Sequence, residues 1–187
     1  MLGTLITSKT RIKILLKFFL NSEATGHLKK LASEFNDSSN GLRVELNKLE
    51  SIGLLQSESV GNKKVFKANT GHPMYENIHR IVFKYTGIEQ IVEGVIERLG
   101  ELSMVYLVGA LAKGLDSKII DIVLVGNVNR EYLITLIDKV EPEVMKRVRY
   151  VIYSETEFEE SRNEVLSMDH LLIWGKDTSR GNPPTGQ

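Results

Sequence analysis

The chain has no cysteine in 187 residues, no long apolar run and no net charge. Without cysteine there are no disulfides, no thiolate metal sites and no thiol nucleophile, a pattern that fits a reducing cytoplasm. No segment approaches the roughly 20 apolar residues that a membrane-crossing helix needs, so no membrane association is expected. The opening Met1-Leu-Gly-Thr-Leu-Ile-Thr-Ser8 lacks a charged region followed by an apolar block, and no secretory leader is expected. The serines have no nucleophile-elbow context. His27, His72, His79 and His170 are scattered with no carboxylate pattern around them, so they read as ordinary boundary histidines. No metal or other cofactor is expected.

The zero net charge conceals a division. Up to Thr86 there are 13 Lys+Arg against 7 Asp+Glu, a balance of +6; from Gly87 onward there are 11 against 17, a balance of −6. Such asymmetry points to two modules, with the basic one the candidate for nucleic acid. The length suits one large domain or two small ones, and an apolar share of 42% suffices for packed cores.

In the basic half, Ile12, Leu15, Leu16 and Phe19 keep helical spacing after Ser8, a residue suited to cap the start. Leu28, Leu31, Ala32 and Phe35 repeat the spacing in a short second helix. Asn36-Asp37-Ser38-Ser39-Asn40 is a turn rich in capping residues. It delivers the chain to a third helix, where Leu42, Leu46 and Leu49 form an apolar stripe opposite Arg43, Asn47 and Lys48. Gly53 suits a left-handed stop. Residues 54–68 read as a hairpin turning at Gly61-Asn62, with Lys63, Lys64 and Lys67 on the returning strand. The expectation is a helix-turn-helix followed by a wing, over residues 1–70.

After Thr70-Gly-His-Pro73 a helical stretch over residues 71–100 would connect two modules, pair with its copy in a dimer, or lie on its own domain. The second half alternates: apolar runs at Leu102–Val108, Ile119–Val125, Arg147–Tyr153 and Leu171–Trp174, with helical patterns at Arg130–Val140 and Glu155–Val165. This argues for a small α/β sheet packed on helices over residues 101–175. The acids of Glu155-Thr-Glu-Phe-Glu-Glu160 suit a helix start. Residues 176–187, rich in Gly, Pro and polar side chains, are expected to be a mobile tail.

Two resemblances attach to these residues. Ser8-Lys-Thr-Arg-Ile-Lys-Ile14, the segment Gly41 to Leu55 and Gly61-Asn-Lys-Lys-Val-Phe-Lys-Ala-Asn69 resemble ArsR-like winged-helix transcriptional regulators. Val108-Gly-Ala-Leu-Ala-Lys-Gly-Leu-Asp-Ser-Lys-Ile-Ile-Asp-Ile-Val-Leu-Val125 resembles the minimal nucleotidyltransferase domain, with Arg149 to Phe158 similar to its third strand and following helix. The order of the two modules also resembles a known kind of regulator, over roughly residues 1–175. The implied fold class is α+β, an N-terminal winged helix-turn-helix followed by a small α/β nucleotidyltransferase-like domain.

The resemblance also implies a test of activity. Where the family signature has G-S, two residues, R-G and a later D-x-D, this chain has Gly109-Ala110, Lys113-Gly114 and Asp121-Ile-Val123. Residues two apart on a strand share a face, so paired aspartates would hold magnesium beside a triphosphate. Valine cannot, and Arg147–Tyr153 contains no third acid. The expectation is an enzyme fold without the metal clamp that nucleotidyl transfer requires. Asp121 alone reads as a surface or cap-forming residue. The loop formed by Gly109, Ala110, Lys113 and Gly114, with Asp121, keeps a weaker option of binding a nucleotide or another anion without turnover. Sensing of metals by cysteine, used by ArsR-like proteins, is excluded.

For DNA, Ser38, Ser39, Asn40, Arg43 and Asn47 are the candidates for base edges or phosphates, and Arg43 could read a guanine bidentately. Lys48 is a candidate for phosphate, and Lys63 and Lys64 at the wing are candidates for the backbone or a narrow minor groove. The partners implied are double-stranded DNA, a second copy in a homodimer, and a nucleotide or small-molecule effector. The reading is a cytoplasmic DNA-binding regulator with a catalytically inactive second domain for sensing, dimerisation or docking. The alternatives are an active metal-dependent nucleotidyltransferase and a winged-helix protein-interaction module.

Overall fold

A computed structural model of the chain describes residues 6–92 and 100–175. The remainder of the expected connector, 93–99, and the expected tail, 176–187, lie outside the described residues. The chain forms two units: one runs to Tyr85 and takes in Gly114–Asp116, and the other comprises Thr86–Lys113 and the residues from Ser117 onward.

In the first unit, α1 (Lys9–Leu15) starts where the Ser8 side chain accepts the Arg11 backbone N–H. It widens into a π-helical turn over Leu16–Leu20, all five residues of which are buried. The apolar spacing alone implied an unbroken α-helix here. Over these five enclosed residues the i→i+5 pattern of a single π turn replaces it. A three-residue strand, β1 (Thr25–His27), follows, then α2 (Leu28–Phe35) and α3 (Ser39–Ser51). Asn36 in the left-handed conformation ends α2, and the Ser38 side chain caps α3 by accepting from the Gly41 N–H. Leu42, Leu46 and Leu49 are buried as the stripe required.

Gly53 (φ +78°) releases the chain into β2 (Leu55–Val60) and β3 (Lys63–Ala68), which turn at Gly61 (φ +57°). The antiparallel order is β1-β3-β2. The core gathers Ile14, Phe18, Phe19, Leu31, Leu42, Leu46, Leu55 and Phe66. Arg11 bridges α1 to α3 through both oxygens of Glu45, at 2.8 and 3.2 Å. Thr10 donates to Asp37 at 2.7 Å. The helix α4 (Tyr75–Thr86) completes the region, with Tyr75 packed on Phe19 and the His79 Nδ1–H donating to the Phe19 carbonyl at 2.6 Å. Gly87 (φ +81°) interrupts the helical stretch before Ile88.

The second unit is a mixed four-stranded sheet in the order β6-β5-β4-β7, formed by β4 (Gly100–Val108), β5 (Ile119–Val128), β6 (Arg147–Tyr153) and β7 (His170–Gly175). β5 and β6 are parallel, joined by α6 (Arg130–Val144); the other pairs are antiparallel. A four-residue helix, α5 (Gly109–Ala112), follows β4, and α7 (Glu155–Ser167) follows β6. Ser154 and Glu157 form a reciprocal capping box that explains the acid-rich start of α7. Alternation divides the sheet. One face carries Tyr106, Val108, Val123 and Val125 under Phe158 and Val165 of α7, and the other carries the buried Val105, Leu107, Ile120, Ile122 and Leu124. The architecture is mixed α+β, as the sequence pattern implied.

Candidate functional site

The first unit contains a groove of about 640 Å³ between α3 and the β2–β3 hairpin. Its lining joins four of the candidate DNA contacts from the sequence, Arg43, Asn47, Lys63 and Lys64, to three residues not among those candidates: His27, Lys29 and Asn62. Leu28, Leu46 and Phe66 form the apolar floor. The groove exists because α3 buries its leucine stripe and so turns Arg43 and Asn47 toward the hairpin. His27 and Lys29 arrive there because β1 pairs with β3, His27 lying across from Val65. A three-residue strand is too short to show alternation, and no sequence signal placed these two residues at the site.

The electrostatics of the groove are cationic but partly compensated. Arg43, Lys63 and Lys29 are exposed and make no ion pair among the described residues. Lys64 is committed. Its Nζ lies 2.6 Å from Glu50 Oε2 and 5.1 Å from the centre of the Phe66 ring, and Glu50 Oε1 accepts from Ser57 Oγ at 2.5 Å. The hydrogen bonds from Lys64 and Ser57 hold the Glu50 carboxyl below the usual carboxylate value. Ser38 spends its side chain on the cap, while Ser39 and Asn40 are exposed on the first turn of α3.

Lys48 does not join the groove. It lies on the opposite edge of α3, 4.0 Å from Glu45, and lines a second depression with Arg11, Ile52 and Ile81. Five residues along an α-helix from Arg43 amounts to roughly 500° of rotation, which carries Lys48 well past the hairpin side. It is therefore set apart from Arg43 and Asn47, with which the sequence pattern had placed it on one stripe.

In the second unit, Gly109 (φ +72°) opens α5, and a Cβ on it would meet Asp121 Oδ2 at 3.2 Å. The Gly109 N–H donates to the Asp169 carbonyl at 3.0 Å, and Lys113 Nζ lies 3.4 Å from the Asp169 carboxylate. Ala110 is half-buried in α5. Gly114 (φ +78°) falls in the short stretch that belongs to the first unit. The loop thus meets two aspartates and has already engaged its leading amide, which offers an anion little. Asp121 is neither free nor a cap: Arg149 donates Nε–H to its Oδ1 at 2.6 Å. Val123, the position of the second aspartate in the family signature, is 3% exposed in the core under Phe158. Among the described residues no three His, Asp or Glu side chains gather as metal ligands, and no helix is long and apolar enough to cross a membrane.

No protein-family model matches the chain, and no curated protein matches it. Among solved structures it is similar to a proposed nucleotidyltransferase from Sulfolobus solfataricus, at 24% identity over 50% of this chain and 82% of that one, with a TM-score of 0.34. It is also similar to human N-acetylserotonin methyltransferase in complex with SAM, at 14% identity over 54% of this chain and 33% of that one, with a TM-score of 0.29. At these scores neither similarity decides the fold or the function.

Proposed function

We propose that this protein is a cytoplasmic, dimeric DNA-binding transcriptional regulator whose first unit is a winged helix-turn-helix. In this reading α3 enters the major groove of duplex DNA and the β2–β3 wing follows the backbone. The observation that carries it is the groove in which Arg43, Asn47 and Lys63 converge from two elements with Lys29, three of these being cations with no ion pair among the described residues. Lys and Arg at such positions neutralise phosphates, and Arg and Asn can make bidentate contacts to guanine and adenine.

The second unit is a nucleotidyltransferase-like domain without turnover, serving sensing, dimerisation or docking. Val123 under Phe158 and the Arg149 guanidinium on Asp121 support the loss of catalysis, since both stand where metal-binding acids would be required. The same two features weigh against an active transferase.

The test is selection of bound fragments from the source genome by the purified protein, followed by affinity against salt. A palindromic motif with a steep salt slope is the expected result. Absence of any enriched fragment would overturn the DNA reading. Transfer of a labelled nucleotide in the presence of magnesium would overturn the inactive second unit.

A further inference from the structure

We propose that Val44 is a specificity determinant that reads the 5-methyl group of a thymine, an inference that rests on the DNA-binding reading above. Val44 is 50% exposed on α3, whose other apolar residues, Leu42, Leu46 and Leu49, are all buried. Two residues from Leu42 is roughly 200° of rotation, so Val44 stands on the side of the helix opposite the core. Its neighbours on the same face, at i−4, i+3 and i+4, are Asn40, Asn47 and Lys48, all exposed. A single exposed apolar side chain on a protein surface ordinarily carries no message. This one stands among the exposed polar side chains of Asn40, Asn47 and Lys48, on the helix that flanks the cationic groove. A β-branched residue is also a poor choice for an exposed helix position on propensity alone.

The chemistry of the major groove supplies a matching feature. Its base edges present donors and acceptors, with one apolar group among them, the thymine methyl. Valine covers that methyl and excludes water from it. Cytosine in the same place would present an amino donor to a side chain that cannot accept it, and lacks the methyl. Val44 thus selects thymine over cytosine, beside positions where Arg43 and Asn47 can read purines.

The experiment uses the full chain and the duplex enriched by fragment selection. Each thymine is replaced in turn by uracil, which keeps the pairing edge and removes only the methyl, and affinity is measured for the wild type and for Val44→Ala. The expected result is a loss of about four-fold for the wild type at one thymine in each half-site, the worth of one buried methyl group, and a smaller loss there for Val44→Ala, whose shorter side chain covers less of the methyl. Alanine is a better helix former than valine, and an unchanged thermal midpoint shows the variant folded. Uracil tolerated at every position, or costing both proteins equally, overturns the role of Val44 while the DNA reading stands. Failure to bind any duplex overturns the DNA reading, and with it this inference.

Discussion

Arg149 on β6 stands directly across the parallel ladder from Asp121 on β5 and donates its Nε–H to the aspartate at 2.6 Å. One pair further along the same face, Val123 lies opposite Val151 and packs under Phe158. Asp121 is therefore engaged by a guanidinium, and Val123 is a member of the core.

Replacing Val123 by Asp is expected to destabilise the second unit by about 3 kcal/mol, because the new carboxylate is buried against Phe158 with no partner. Urea denaturation reads this as a lower midpoint, and Val123→Ile serves as the apolar comparison. An unchanged midpoint for the aspartate variant would mean that this face is open to water.

Arg43 and Lys63 should fail differently. Arg43→Ala is expected to cost about 1–3 kcal/mol in DNA affinity and to relax the preference at one base position. Lys63→Ala should weaken all sequences alike and reduce the salt slope by about one. Lys48→Ala, away from the groove and near Glu45, is expected to have the smaller effect. Equal losses for the two lysines would place the backbone contact elsewhere.

Glu50 restrains the β2–β3 hairpin. Its carboxyl is held below the usual range by Lys64 and Ser57, so at neutral pH it stays ionised and keeps Lys64 occupied. Glu50→Gln should free Lys64 for phosphate, tighten DNA binding and steepen the salt slope by about one. Binding by the variant that is no tighter would show that Lys64 is out of reach of the duplex.

Acid should loosen the first unit through Glu45 and Asp37. The hydrogen bond from Arg11 lowers the Glu45 carboxyl below 4.5, and that from Thr10 lowers Asp37 below 3.8. For groups depressed in the folded state, stability is fully present above the unfolded-state value and is lost as the pH falls through the folded one. The wild type should therefore exceed Glu45→Gln in stability by a constant margin at neutral pH. That margin should shrink from just above pH 4.5 downward. A margin independent of pH would assign the effect to packing and not to charge.

Much of the first unit was legible locally. Ser8 and Ser38 cap the helices that follow them, the leucines at 42, 46 and 49 are buried together, and Gly61 makes the turn that the hairpin pattern required. Caps, spacing and turn residues act within a few positions, so one stretch of chain is enough to read them.

What tertiary structure alone decided was partnership at a distance. Thr25–His27 is a strand only because it pairs with residues near Lys67, and that pairing brings His27 and Lys29 to the groove. Full enclosure accompanies the π turn at Leu16–Leu20. Helix rotation against the core set Lys48 apart from the hairpin, and strand register put Arg149 on Asp121, 28 positions away. Composition and periodicity determine which face of an element is apolar; which charges meet across faces depends on the packing of segments that the chain itself keeps apart.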